Sequence, residues 1–238
     1  MRKRLAAVAA AMIPVAGLPL LASGGVTATG TPIPFDDATM IFEVNATDGD
    51  AGLQVFLDGE PWRSVEVHSP DGRKIFAVDG KGELRNLGLT ELFSESNEPS
   101  FDDMPVEDIL ALFPEGDYRF SGKTIEGDRL IGTATLTHDI PAGPVVVSPA
   151  DGAVVSPDAV VVMWEPVTEP AGIDITGYQV IVEREDPLRV FQVTLPSTAT
   201  SVTVPAEFLE TGTDYNVEVL AIEASGNQTI TENSFATS

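Results

Sequence analysis

Residues 208–227 read FLETGTDYNVEVLAIEASGN. Leu209 through Tyr215 is a turn with a glycine, Gly212, followed by an aromatic ring. Beyond it, Val217, Val219 and Ala221 alternate with Asn216, Glu218 and Leu220. That two-residue period is the pattern of a β-strand with one buried face.

The same alternation recurs upstream. Ile175 to Val182 reads as a strand with Tyr178, Val180 and Val182 inward, and Val160-Val161-Val162-Met163-Trp164 is an apolar run ending in a tryptophan. Val145–Val147, Arg189–Leu195, Ser201–Val204 and Thr229–Thr237 supply four more strand-like runs. Together Trp164, Tyr178, Leu209 and Tyr215, with Leu-x-x-Gly-Thr-x-Tyr before the penultimate strand, resemble the fibronectin type III domain. The resemblance spans residues 142–238 and implies a β-sandwich with these four side chains in its core. The whole chain also resembles a group of small exported bacterial proteins that carry one such domain. The loop Ser225-Gly226-Asn227-Gln228 lacks Arg-Gly-Asp, so the resemblance brings no integrin motif with it.

The first half carries a fainter copy of the signal. Leu112-Phe113-Pro114-Glu115-Gly116-Asp117-Tyr118 places a Leu, a Gly and an Asp-Tyr pair much as the second half does, about one domain length earlier. Strands are expected at 39–45, 54–57, 62–68 and 74–78, with Asp-Gly pairs at 58–59, 71–72 and 79–80 as hairpin turns. Residues 86–103 fit either a helical turn or a buried loop. Residues 103–113 have an acidic start, Pro105, and Val106, Ile109, Leu110 and Phe113 on one face, which predicts a short amphipathic helix. The expectation is an all-β chain of two tandem β-sandwich, immunoglobulin-like domains, the first with a short helix. Residues 29–38 are expected as a flexible lead, 39–141 as the divergent immunoglobulin-like domain and 142–238 as the second domain. His138 to Pro144 forms a semi-rigid connection.

Residues 1–28 read as an export signal. Arg2, Lys3 and Arg4 precede an apolar run from Leu5 to Leu21, and small residues at 26 and 28 suit cleavage after Ala28. Pro14, Gly17 and Pro19 interrupt that run, and no stable membrane insertion is expected. A periplasmic or secreted bacterial protein follows. With no cysteine, neither disulfide framework nor thiolate chemistry is available.

Charge narrows the partners. Thirteen basic residues face 37 acidic ones, a net of −24, and the second half holds only Arg184 and Arg189 as cations. Such a chain repels phosphate backbones, which argues against nucleic acid.

Chemistry is sparse. His68 precedes Ser69-Pro70-Asp71 and His138 adjoins Asp139, but no nucleophile elbow, metal-binding helix or nucleotide loop is present. Asn45, Asp48 and Asp50 space oxygen atoms along a strand-ending loop, a candidate for structural calcium; the alternative is a hairpin turn whose side chains serve the backbone. No other cofactor is expected. Trp62, just after a turn, is a candidate stacking ring for sugar, although packing in its hairpin also accounts for it. Ile181, Leu220 and Ile222 alternate out of the second core and mark a candidate partner face, unless neighbouring groups cover them. These readings point to an exported, non-catalytic binding or structural module, with a protein or polysaccharide of the cell envelope as partner. A carbohydrate-binding accessory protein using Trp62 is the alternative, and an acidic hydrolase the third.

Overall fold

A computed structural model describes residues 30–238; the expected export signal lies outside the described residues. The first half runs β1 (Ile33–Pro34), β2 (Asp37–Asn45), β3 (Asp50–His68), β4 (Lys74–Asp79), α1 (Gly82–Leu87), β5 (Leu89–Glu95), α2 (Val106–Leu112), β6 (Gly116–Thr124) and β7 (Arg129–Leu136). The second runs β8 (Val145–Ser148), β9 (Ala153–Val155), β10 (Val161–Glu165), β11 (Ile175–Glu185), β12 (Leu188–Pro196), β13 (Ser201–Thr203), β14 (Asp214–Glu223) and β15 (Gln228–Thr237). The chain is all-β and sandwich-like, as expected, with α2 where the amphipathic pattern placed it.

The second half is a two-sheet sandwich. Strands β13, β10 and β8 form one sheet, and β15, β14, β11 and β12 form the facing layer. Between them lie Trp164, Tyr178, Leu209, Tyr215, Val180, Val217 and Phe235. The Trp164 and Tyr178 rings sit 5.3 Å apart, and the Tyr178 hydroxyl accepts the Val167 N–H at 2.8 Å.

In the first half one strand serves two sets of partners. From Asp50 to Asp58, β3 pairs with β2 and, on its other side, β5; from Trp62 to His68 it pairs with β6 and β4. The register shifts between Asp58 and Ser64 mark where it changes partners. The expected hairpin at Asp58-Gly59 is therefore absent: the strand continues through it. Gly59 is glycine because of crowding, since a Cβ there would lie 3.0 Å from the Phe35 ring. Of the three Asp-Gly pairs, the one at 71–72 makes a turn through a left-handed glycine, with φ 87° at Gly72.

Two further expectations change. Within the expected lead, residues 33–35 are not loose, because β1 pairs parallel with β7 and Phe35 is buried in the first core. Its N–H bonds the Ile131 carbonyl at 2.9 Å. The ambiguous stretch 86–103 resolves into the end of α1, the strand β5, which sits on β3, and a connection.

The halves share a sheet. The hydrogen-bonded path runs β1-β7-β6-β3-β2-β15-β14-β11-β12, so the second half's sheet continues into the first through β2 and β15. That parallel seam matches Glu43, Val44 and Asn45 with Gln228, Thr229 and Ile230.

Candidate functional site

The seam is built from polar side chains, and the loop between β14 and β15 holds it. Asn227 is fully buried. Its Oδ1 accepts the Phe42 N–H at 2.8 Å, and its Nδ2 donates to the Thr137 and Asp139 carbonyls at 3.1 and 3.2 Å and to Thr137 Oγ1 at 3.0 Å. One amide thus joins β2, the interdomain connection and β15, using nearly all the hydrogen-bonding capacity an Asn side chain has. Around it the Ala46 N–H donates to the Ile230 carbonyl at 2.9 Å, and Thr229 Oγ1 donates to the Pro141 carbonyl at 2.6 Å. Gly143 is obligatory here because a Cβ would come within 2.7 Å of Ala46.

Residues pointing away from both cores line one broad face of the continuous sheet. At the seam Glu43 is buried and accepts a hydrogen bond from Gln228 Nε2. Among the described residues, the oxygens of Glu43, Glu95 and Glu98 lie within 4.8 Å of one another. Burial pushes the Glu43 carboxyl up to about 7, helped by Glu95 and Glu98 and opposed by hydrogen bonds from Gln228 and Gln54. One strand further, Glu218 on β14 is opposite Glu232 on β15 and Ile181 on β11. Burial, with Glu183, Glu232 and Glu43 as like charges, pushes Glu218 up to about 8.

Ile181 and Leu220 do point out of the second core. They form a separate apolar cluster with Ile230, and Val190 packs against it. Both are buried, each 1% exposed, and Ile222 is half-buried. The described elements in substantial contact with β11, β14 and β15 are the strands beside them and β8.

Trp62 is not available to a sugar. It is fully buried in the first core, because β3 runs on where a turn was expected and carries the ring inward. The loop at Asn45, Asp48 and Asp50 is a hairpin turn in which Asn45 Oδ1 accepts the N–H groups of Thr47 and Asp48, both at 3.0 Å. Asn45 Nδ2 reaches across the seam to Glu232 at 2.5 Å. These bonds give Asn45 a backbone role and engage the oxygen a cation would need. The histidines are likewise occupied: His138 Nε2 contacts the Phe113 carbonyl at 2.9 Å and its ring meets Phe42 edge-on, while His68 is 4.0 Å from Glu66. Ser69 Oγ bonds Asp71 and the Arg73 carbonyl, which caps its turn. Sequence reasoning missed Glu43, Asn227 and Gln228. An acid inside the otherwise apolar run Met40–Val44 was the available signal for the first.

With the strand order and the core residues in place, the second half's identity follows from comparison with known families. The fibronectin type III model matches residues 148–237. Residues 148–237 form a fibronectin type III domain. Among solved structures, the fibronectin type III domain of human collagen alpha-1(XX) is 26% identical, with 41% of this chain and 83% of that one covered, at a TM-score of 0.30. The FN1–FN3 domains of chicken CNTN1 are 13% identical over 86% of this chain and 65% of that one, at 0.33. The spore cortex lytic enzyme SleM of Clostridium perfringens is 21% identical over 41% of this chain and 27% of that one, at 0.28. No curated protein matches the chain. No described helix is long and apolar enough to cross a membrane.

Proposed function

We propose that the chain is an exported, non-catalytic binding module in which the fibronectin type III domain and the first half act as one body. Its contact surface is the outward face of the shared sheet, and its partner is a polypeptide carrying basic side chains. The observation that carries this reading is the group of carboxylates Glu183, Glu218 and Glu232 on the side of the strands opposite the core, beside the buried cluster of Ile181, Leu220 and Ile230. The chain's strong acidity disfavours a second copy of itself and favours a cationic partner.

Sugar recognition through Trp62 receives no support from a ring buried in the first core, and calcium at Asn45 none from an oxygen already bonded to two N–H groups. Export rests on the basic start and apolar run of residues 2–21.

The test is photo-crosslinking in the native envelope from a probe at position 222, with and without the paired changes Glu218→Gln and Glu232→Gln. A specific polypeptide adduct lost in a variant that melts like the wild type supports the reading. An adduct unchanged by the paired changes, or adducts to polysaccharide alone, overturns it.

A further inference from the structure

The seam holds an arrangement that the binding reading does not use. A buried glutamate sits in the hydrogen-bonded junction of two domains, and two more carboxylates converge on it within 4.8 Å. The groups facing Glu43 are Glu95 from β5, Glu98 from the connection after it, neutral Gln54 from β3 and neutral Gln228 from β15; Glu218 on β14 also feels its charge. Each charged side chain among these is an acid. Three carboxylates this close, one of them out of water, do not all ionise without an electrostatic penalty. The penalty falls on the junction itself, because Glu43 pairs with Gln228 on the neighbouring strand.

The junction is also narrow. Three residue pairs of parallel strand, the Asn227 bonds and a few side-chain contacts join bodies whose own cores lie on either side. A contact of this size can open while both cores stay folded.

We propose that the seam is a proton-operated latch: with Glu43 protonated, β2 and β15 hold as one sheet, and with Glu43 ionised the converging carboxylates loosen the junction and free the two domains to move against each other. The upward push on Glu43, to about 7, places the change close to neutrality. The inference is independent of which partner, if any, the sheet face binds.

Hydrogen exchange of the purified chain tests it, with rates corrected for the intrinsic pH dependence of the amide. The reporters are the Ala46 N–H, which bonds Ile230, and the Phe42 N–H, which bonds Asn227. Amides between β11 and β14 are the reference. Between pH 5.5 and 8.5 the seam reporters should lose about tenfold or more in protection while the reference amides hold. Glu43→Gln, which keeps the shape and removes the charge, should abolish the loss. Should that variant fold poorly, Glu95→Gln with Glu98→Gln should shrink it. Equal protection at both pH values in the wild type overturns the latch, as does a loss that persists unchanged in these variants.

Discussion

The two halves solve one problem in different ways. In the second, each strand belongs to one layer, and the inward residues Trp164, Tyr178, Val180, Val217 and Phe235 come from strands whose turns lie where their glycines and prolines suggest. In the first, β3 gives its first nine residues to β2 and β5 and its last seven to β6 and β4. A strand that changes partners midway can stay extended through a dipeptide that elsewhere turns. The contrast shows that alternation reads out a sheet well when one strand serves one layer, and misleads at the crossing point.

The largest expected effect breaks the comparison at that crossing. Trp62→Ala should destabilise the chain by about 3–5 kcal/mol, the usual range for emptying a buried tryptophan site. Chemical denaturation followed at the first half's reporters measures it. A loss below about 1 kcal/mol would mean that the ring does not fill the core and would reopen the stacking role.

The next asks whether the halves melt as one. Asn227→Ala removes the bonds to Phe42, Thr137 and Asp139 and leaves the Phe42 N–H without its acceptor. A loss of about 3 kcal/mol is expected from several net hydrogen bonds and one stranded buried donor. Because the loss falls on the junction, calorimetry should show one transition splitting into two. A single transition merely shifted downward would place the cost inside one half.

Legibility followed physical scale. Tyr215, Trp164 and their strands were readable because burial of one face leaves a period-two trace over many residues. The helix at 106–112 was readable for the corresponding reason at its own period. The seam was not, since it depends on three residues of β15 meeting three of β2 across most of the chain, and neither partner carries a mark of the other. Asn227 looks like a turn residue in the sequence, and it is one; its second role exists only once the first half stands beside it. Phe35 reads as part of a loose lead because one ring amid prolines and glycines has no periodicity to announce it.

Glu43 sharpens the contrast through pH. Its folded carboxyl is raised from 4.5 to about 7, so the fold prefers the protonated acid. Stability therefore falls as pH climbs from about 4.5 to 7 and levels beyond, the reverse of a carboxylate in an ion pair. Glu43→Gln should recover on the order of 2–3 kcal/mol at pH 8 and little at pH 4. Thermal melts at both pH values check this. A gain of equal size at pH 4 would show that charge is not the cause.

The smallest effect compares the two tyrosine corners directly. Tyr118 donates its hydroxyl hydrogen to the Pro114 carbonyl at 3.0 Å, whereas the Tyr215 hydroxyl accepts the Glu210 N–H at 2.7 Å. The first bond ends on a carbonyl at an exposed residue, where water can take over. The second belongs to a connected set: Thr237 Oγ1 donates to the Glu210 carbonyl and accepts the Thr213 N–H at 3.0 Å, tying the last strand to the same turn. Removing one member of such a set disturbs the others. Tyr215→Phe should therefore cost about 1–1.5 kcal/mol and Tyr118→Phe about 0.5. Paired denaturant titrations measure the difference. If Tyr118→Phe proves the costlier change, the first corner is held by more than its one bond, and the resemblance between the corners goes deeper than their geometry.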